Sequence, residues 1–311
     1  MQSQSLKIGT RGSPLALWQA NEVRALLIAA HALDEAQVQV CTFKTSGDRI
    51  QDKSLRDFGG KGLFTKEIED ALHCGEISLA VHSMKDMPTI LPEGLEISCV
   101  LERADVRDAF LSAKASRLAD LPEGAVVGTS SLRRQAQVKR LRPDLNVVEF
   151  RGNVETRLRK LEDGVADATF LAAAGLERLG KQALITAYVE TGEMLPAVAQ
   201  GAICIETRSD DTATRDLLKA LHHEETAICI SAERAFLRVL DGSCRTPIAG
   251  LAVLDGKHLS FRGQILTPDG KVSYETQRDG LADDSEAMGV DAAKELLLLG
   301  GADFFWFEAV E

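Results

Sequence analysis

The chain has 311 residues, a length that predicts about two domains, or three if one of them is small. Hydrophobic residues make up 45% of it and charged residues 27%, which excludes disordered, collagen-like and low-complexity proteins. The 47 aspartates and glutamates outnumber the 36 lysines and arginines, and the formal charge of −11 argues against wholesale binding to nucleic acid or to an anionic membrane. An anionic ligand therefore requires a local basic site.

The sequence also argues against a membrane span and a metal site. The longest apolar stretch, 296–307, is interrupted by Gly300, Gly301 and Asp303, so it falls short of the ~18 residues that a span requires. Residues 1–8 lack the basic and apolar segments of a signal peptide, and we expect a cytoplasmic protein. The six cysteines form no Cys-x-x-Cys pair, which disfavours zinc sites and disulfides and predicts that each is a buried apolar residue.

Strand and helix signals alternate along the first hundred residues. The predicted elements are strand 6–9, a helix beginning at Pro14 and capped by Ser13, strand 38–44, helix 65–73 and strand 77–82. This alternation predicts a parallel sheet covered by helices on both faces.

The alternation restarts near residue 102 and then gives way to a different pattern. The second series is strand 125–128, helix 130–141, strand 146–150, helix 154–162, strand 168–172 and a short helix ending at Leu179. An apolar strand at 201–206 cannot be placed by pattern alone. Beyond residue 220 the pattern predicts an α+β module: helix 226–240, antiparallel strands 248–254, 258–266 and 272–278, and a helix from Asp284 or Ser285 to Gly300.

Basic residues follow several of the predicted strands. In open α/β sheets, ligands bind at the carboxyl ends of the strands, where helix N-termini also point. Between residues 129 and 178 there are ten lysines and arginines, eight of them arginine, against seven acids. Arg133, Arg134 and Arg151 come just after strands and beside Ser, Thr and Gly, which predicts an anion site. Lys139, Arg140, Arg142, Arg159 and Lys160 are expected on a solvated helix face.

Three further features stand out in loops. The run 59–62 is glycine-rich around Lys61, but it lacks the spacing of a phosphate-binding Walker motif. Asp86 follows an apolar strand beside Lys85, which fits a loop acid or helix cap as well as a lone carboxylate in a basic cleft. Cys244 is in a Gly-bounded loop beside Arg245, where a thiol has more thiolate character than in a core. No histidine is paired with it in the sequence.

Six motifs together closely resemble the porphobilinogen deaminase family, also called the hydroxymethylbilane synthases. They are Thr-Arg-x-Ser-Pro-Leu-Ala at 10–16, Gly-Gly-Lys-Gly-Leu-Phe at 59–64, Ala-Val-His-Ser-Met-Lys-Asp-x-Pro at 80–88, Gly-Thr-Ser-Ser-Leu-Arg-Arg at 128–134, Arg-Gly-Asn at 151–153 and Leu-x-Gly-x-Cys at 240–244. Their order and spacing over residues 10–250 are far more specific than any one of them.

The resemblance implies an α/β fold with three domains. Two are α/β domains of the type II periplasmic-binding-protein kind flanking a cleft: 1–101 with 202–219, and 102–201 with the arginine-rich cleft wall. The third, 220–311, is a smaller α+β domain with a three-stranded antiparallel sheet. The strand after Gly201 is implied to return to the first domain. A dipyrromethane cofactor, assembled by the protein from its own substrate, is implied to be thioether-linked to Cys244.

The implied reaction condenses porphobilinogen units stepwise, with release of ammonia, until water frees linear hydroxymethylbilane. By motif match, Asp86 is the catalytic residue, because a fixed carboxylate can stabilise the cationic azafulvene that forms when ammonia leaves. The residues implied to hold the cofactor are Ser83, Lys85, Asp86, Thr129, Ser131, Arg133, Arg134 and Cys244. Those implied to bind substrate carboxylates and the growing chain are Arg11, Ser13, Lys61, Phe64, Arg151, Arg157 and Arg178. The same reading implies a monomer without nucleic-acid, membrane or metal partners.

Two points remain open at this stage. Many members of the family have a basic residue two positions before the glycine loop, whereas this chain has Asp57 there beside Arg56. A substrate contact from that position is therefore not expected, and Lys61 belongs to a loop that can act as a lid.

The alternatives to a deaminase are a carboxylate receptor without catalysis, which has no need of Cys244, and a cysteine hydrolase, which requires a histidine near it.

Overall fold

The computed structural model describes residues 5–49, 65–240, 247–301 and 304. The chain divides into two compact units: Met1–Ala104 with Gly201–Ala227, and Asp105–Gln200 with Ile228–Glu311. The first unit contains one five-stranded sheet, and the second contains another five-stranded sheet and a three-stranded one. A division into three domains, 1–101 with 202–219, 102–201 and 220–311, stays a prediction.

The described residues form thirteen strands and nine helices. The strands are β1 (Leu6–Arg11), β2 (Val38–Phe43), β3 (Leu79–Ser83), β4 (Leu95–Val100), β5 (Asp108–Ser112), β6 (Val126–Gly128), β7 (Asn146–Val148), β8 (Ala168–Ala172), β9 (Ala187–Val189), β10 (Ile203–Arg208), β11 (Ile248–Asp255), β12 (His258–Leu266) and β13 (Ser273–Leu281). The helices are α1 (Pro14–His31), α2 (Ser46–Arg49), α3 (Lys66–His73), α4 (Leu132–Leu141), α5 (Val154–Glu162), α6 (Ala173–Arg178), α7 (Thr212–Leu218), α8 (Glu224–Val239) and α9 (Ser285–Gly300).

The sheet of the first unit has the strand order β2-β1-β3-β10-β4. Strand β1 pairs in parallel with β2 and β3, whereas β10 is antiparallel to both β3 and β4. The predicted parallel pairing is therefore confirmed for β1, β2 and β3, and β10 makes the sheet mixed. A strand that enters from a distant part of the chain, after residue 201, runs against its neighbours. The place of β10 in this sheet is the one that the family resemblance implies.

The five-stranded sheet of the second unit repeats this plan. Its order is β7-β6-β8-β5-β9, with β6 parallel to β7 and β8, and β5 antiparallel to β8 and β9. In the first sheet β1 lies between β2 and β3, and in the second β6 lies between β7 and β8. The antiparallel strand β10 then separates β3 from β4, as β5 separates β8 from β9. The two five-stranded sheets therefore share one strand order, and the type II periplasmic-binding-protein plan stays what the family resemblance implies.

Helices cover both faces of each of these sheets, as predicted. In the first unit, one core contains Val23 and Leu27 of α1, and the core on the other face contains Ile68 and Leu72 of α3. In the second unit, Val138 of α4 belongs to one core, while side chains of α5 and α6 belong to the other. Helices therefore cover both faces of each sheet, so a ligand can reach the sheets only at the strand ends and the loops that follow them.

The three-stranded sheet has the order β11-β12-β13 and is antiparallel throughout, with two hairpins. Phe236 of α8 packs on Phe261 of β12 with their ring centroids 5.0 Å apart, which attaches the sheet to the helix. Helix α9 ends at Gly300 and is capped by Gly301, whose φ of 73° lies in the left-handed region. The predicted C-terminal α+β module is confirmed.

Candidate functional site

In the first unit, strand β1 leads into the N-terminus of helix α1. Ser13 caps this helix, because its Oγ accepts the backbone N–H of Ala16 at 3.3 Å, and Pro14 occupies the first turn as predicted. The hydroxyl of the buried Thr10 donates to the carbonyl of Ala16 at 3.2 Å. Helix N-termini attract anions through their unpaired N–H groups and the helix dipole. Half-buried Arg11 thus lies at an end of the sheet that already favours negative charge.

A single 3₁₀ turn, Met84–Asp86, follows strand β3. The side chains of Met84 and Met87 are buried on either side of it and anchor the turn to the core. Between these anchors, the side chains of Lys85 and Asp86 are exposed. The two buried methionines therefore fix the positions of the exposed ammonium of Lys85 and the exposed carboxylate of Asp86.

A small cavity of about 70 Å³ joins these two strand ends. Its lining includes four of the predicted site residues: Arg11, Ser13, Ser83 and Asp86. The buried Gln19 of α1 also lines it and donates its Nε2–H to the Oγ of Ser83 at 2.9 Å, which orients that hydroxyl. The carboxyl end of the first sheet thus brings a guanidinium and a carboxylate to one cavity.

His82 also lines this cavity and belongs to a buried cluster of titratable side chains that the sequence does not predict. Its Nε2 lies 3.2 Å from Oε2 of Glu206, a residue of β10 with no exposed surface. Glu69 of α3 is buried near both. Burial raises the pKa of its carboxyl, the hydroxyl of Thr65 lowers it, and the charge of Glu206 raises it further. The one sequence feature that could have indicated this cluster is Glu206, an acid at the end of the otherwise apolar stretch Ile203–Glu206.

In the second unit, the end of strand β6 and the start of helix α4 repeat this arrangement. Ser131 caps α4 by accepting the backbone N–H of Arg134, and its own N–H donates to Oγ1 of Thr129 at 3.2 Å. Gly128 is required between strand and cap, since a Cβ there would lie 2.5 Å from the ring of Phe150. The predicted contacts Thr129 and Ser131 therefore form one local capping structure at a helix N-terminus.

Arg133 and Arg134 point inward and share a carboxylate. Nη1 of Arg133 donates to Oδ2 of Asp108 at 2.8 Å, and Nη2 of Arg134 donates to Oδ1 at 2.7 Å. All three side chains are buried. The sequence predicts the arginines but not Asp108, because no strand is predicted at β5 and Asp108 is 25 positions from Arg133.

The shared carboxylate controls the charge of this cluster. Burial alone would raise the pKa of Asp108, but the adjacent guanidiniums of Arg133 and Arg134 hold it well below its usual range. Burial lowers the pKa of Arg133, and the charge of Asp108 opposes that shift. Two guanidiniums and one carboxylate leave a net charge of +1. Nε of Arg133 is buried and has no hydrogen-bond partner among the described residues.

Arg151 lies in a tight connection between β7 and α5. Gly152 adopts φ +124°, a conformation that disfavours any side chain, and a Cβ there would be 2.6 Å from the side chain of Thr156. Asn153 then caps α5 by accepting the N–H of Thr156 at 2.9 Å. Lys160 donates to the carbonyl of Arg151 at 3.1 Å. This connection is thus a third capped helix start that carries a predicted arginine.

The remaining predicted residues are on helices or outside the described part of the chain. Arg157 is in α5 and Arg178 is the last residue of α6, and both are half-buried. Whether they act with the other arginines stays a prediction. The residues outside the described ranges are Asp57, Lys61, Phe64 and Cys244.

Within the described residues, no group of His, Cys, Asp or Glu is arranged to hold a metal ion, and none of the helices is long and apolar enough to cross a bilayer. The cysteines there are free thiols. Cys99, Cys204 and Cys229 are buried as expected, and burial raises the pKa of the Cys99 thiol to about 12. Cys74 is exposed, contrary to expectation, because it lies at the end of α3 on the surface.

Comparison with solved structures finds distant likeness to binding proteins. A methionine-binding protein, MetQ, aligns with a TM-score of 0.44 and 16% identity over 78% of this chain and 97% of its own. A methionine-binding lipoprotein of Bacillus subtilis aligns with the same TM-score and 13% identity, over 73% of this chain and 93% of its own.

Sequence comparison is decisive. Residues 6–216 match the family model described as "Porphobilinogen deaminase, dipyromethane cofactor binding domain", and residues 227–298 match that of its C-terminal domain. A porphobilinogen deaminase of Paracoccus denitrificans is 59% identical over 96% of both chains. One from Nitrobacter hamburgensis is 58% identical over 96% of this chain and 94% of its own. This chain belongs to the porphobilinogen deaminase family.

Proposed function

We propose that this chain is a transferase that condenses porphobilinogen units stepwise into linear hydroxymethylbilane, releasing ammonia at each step, on a covalently attached dipyrromethane primer. Family membership over nearly the whole chain supports this function. The structural observation that carries it is the cavity at the carboxyl end of the first sheet, where Asp86 and Arg11 stand together.

The chemistry of the reaction needs both charges. Each porphobilinogen has an acetate and a propionate, which a guanidinium beside a helix N-terminus can bind. Loss of ammonia leaves positive charge on the pyrrole ring, and the exposed carboxylate of Asp86 can stabilise that charge and accept the ring N–H. Arg11 and Ser13 then hold a carboxylate of the substrate, while Asp86 acts on its ring.

The described residues fit a dipyrromethane. When bound, this group supplies the pyrrole carbon to which the first substrate unit is joined. In the first unit, the carboxylate of Asp86 can accept its ring N–H groups, and the ammonium of Lys85 can bind one of its carboxylates. In the second unit, we assign Arg133 to a carboxylate by motif match; its buried Nε–H has no hydrogen-bond partner in the described part of the chain. The other proposed contacts are Ser83, Thr129, Ser131 and Arg134. The proposed point of attachment, Cys244, is outside the described residues.

The growing chain gains two negative charges with each unit, and more cations are needed than one cavity supplies. Arg151 follows a strand of the second sheet and precedes a capped helix, whose N-terminus favours anions, and it pairs with the exposed Glu149 at 3.5 Å. We assign it, with Arg157 and Arg178, to the carboxylates of the growing chain. Lys61 and Phe64 are assigned to substrate by motif match alone.

Intact-protein mass spectrometry tests the proposal. The purified protein is expected to exceed its sequence mass by a two-pyrrole adduct that maps to Cys244, and to release one ammonia for each porphobilinogen consumed. A carboxylate receptor would have the mass expected from its sequence, and it would bind porphobilinogen without releasing ammonia. Either an active protein with no adduct or a protein that binds without turnover would refute the proposed function.

We further propose that the protein works as a monomer in the cytoplasm. The free thiols of the described cysteines fit a reducing compartment. Light scattering at working concentration should return the mass of one chain, 33.6 kDa plus the adduct. A dimer mass, or activity confined to a membrane or periplasmic fraction, would contradict this part.

A further inference from the structure

Asp108 holds the two buried arginines of the second unit in fixed orientations. Its Oδ1 accepts Nε and Nη2 of Arg134 at 3.3 and 2.7 Å, and it also accepts Nε2 of Gln200 at 2.9 Å. Its Oδ2 accepts Nη1 of Arg133 at 2.8 Å. One carboxylate with no exposed surface therefore receives hydrogen bonds from three side chains.

The two guanidiniums are used differently. Arg134 turns its Nε edge to Asp108 and donates Nη1 to the carbonyl of Phe170 at 2.7 Å. Arg133 binds through Nη1 alone, to Asp108 and to the carbonyl of Leu195 at 2.9 Å. Nε of Arg133 is buried and has no hydrogen bond within the described residues. The Nε edge of a guanidinium is one of the two that bind a carboxylate with parallel hydrogen bonds.

We propose that Asp108 is a positioning residue for the carboxylate-binding arginines: it clamps Nη1 of Arg133 so that the Nε edge of that guanidinium faces a pyrrole carboxylate. This rests on the proposed function. Asp108 itself touches neither substrate nor cofactor in this assignment. It also lowers the charge of the cluster from +2 to +1, which keeps two adjacent buried cations compatible with the fold.

A purely structural ion pair in the same unit provides the comparison. Asp167 accepts the backbone N–H of Val126 at 2.7 Å and pairs with Lys114. It precedes β8 and contacts the first residue of β6, so it is at the opposite ends of these strands from Gly128 and the arginines. Replacing Asp167 removes a partly buried carboxylate from this unit without touching Arg133 or Arg134.

The test compares Asp108→Asn with Asp167→Asn, each assayed below its unfolding temperature. We expect Asp108→Asn to raise the KM for porphobilinogen at least tenfold, with a smaller change in kcat, and to carry the two-pyrrole adduct in a smaller fraction of molecules by intact mass. Asp167→Asn should keep both at the values of the unchanged protein. Equal KM and adduct fraction in folded Asp108→Asn and the unchanged protein would overturn the proposal.

A double-substitution cycle separates positioning from an independent role, and it still works if Asp108→Asn alone does not fold. In the Asp108→Asn/Arg133→Met variant, Arg134 leaves the cluster at +1, the charge it has in the unchanged protein. If Asp108 acts through Arg133, the KM of this variant matches that of Arg133→Met within threefold. A further tenfold rise would overturn the proposal. Loss of adduct and ammonia release in the unchanged protein would instead refute the proposed function.

Discussion

At the scale of single residues, Asp86 is the acid on which the chemistry depends most. Its turn is anchored by Met84 and Met87, so the carboxylate can be changed without altering the fold. We expect Asp86→Asn to remain folded and to lose catalysis by roughly 10²-fold or more, because the amide cannot stabilise positive charge or accept a proton. Turnover of porphobilinogen and thermal unfolding measure the two effects. Asp70→Asn, which removes another exposed acid of the first unit, should keep full activity.

Asp108 makes stability depend on acidity in a direction that follows from its pKa. Arg133 and Arg134 hold that pKa far below the ~3.9 of an unfolded aspartate, against the opposing effect of burial. The stabilisation is therefore present above about pH 4 and is lost as pH falls towards the native pKa. Asp108→Asn should lose about 3–5 kcal/mol at pH 7, since two buried cations lose their partner. Its urea midpoint should also depend less on pH below 4, and equal acid sensitivity of the two proteins would contradict this reading.

Glu69 makes stability depend on pH in the opposite direction to Asp108. Burial raises the pKa of its carboxyl, so the unfolded chain releases this proton at a lower pH than the folded protein does. Stability is thereby lost as pH rises from the unfolded pKa towards the native one. The Tm of Glu69→Gln should equal that of the unchanged protein at pH 4 and be higher at pH 8. Each kcal/mol of added stability should raise the Tm by about 2–4 °C. Glu76→Gln, at an exposed site of the same unit, should show no such difference between the two pH values.

At the scale of elements, the connection between β7 and α5 depends on backbone conformation. Gly152→Ala places a Cβ 2.6 Å from Thr156 at a φ of +124°, so we expect a loss of about 1–3 kcal/mol and a higher KM, because Arg151 precedes this residue. Gly164 also has a positive φ, +73°, but open space around its Cα. Gly164→Ala should therefore lose less stability and leave KM unchanged. Urea unfolding and steady-state kinetics provide both comparisons, and equal losses would refute the steric account.

The elements that the sequence predicted well are those with local signals. Helices α1, α4 and α5 lie where the sequence predicts helices, and the predicted Ser13 cap of α1 is observed. Ser131 and Asn153 cap the other two, and α4 begins two residues later than predicted. Strands β4, β5 and β9 lie outside the strand-and-helix alternation, and each is placed by partners distant in sequence. The same limit applies to the site: the arginines were identified from their local context, whereas Asp108 and Glu206 were missed because only the fold brings their partners to them.

At the scale of the whole molecule, the two five-stranded sheets have one plan although their sequences show no repeat. In each sheet an antiparallel strand, β10 or β5, separates the third strand of the series from the last. Each sheet also has basic residues and a capped helix at the carboxyl end of its first strand, around Arg11 in one and Arg133 in the other. A common backbone plan thus presents anion-favouring helix ends in both units, and the first also has the exposed acid Asp86 after β3.

Charge is the other property of the whole molecule that affects the reaction. The chain carries −11 and porphobilinogen is itself anionic, so distant charges repel the substrate while nearby arginines attract it. The Debye length is about 8 Å at 0.15 M salt and about 30 Å at 0.01 M. Contacts at hydrogen-bond distance are hardly screened at either concentration, so lowering the salt mainly adds the long-range repulsion. We expect the KM for porphobilinogen to rise, with kcat unchanged, as ionic strength falls from 0.15 M to 0.01 M. A fall in KM would mean that the basic site dominates the field of the molecule even at long range.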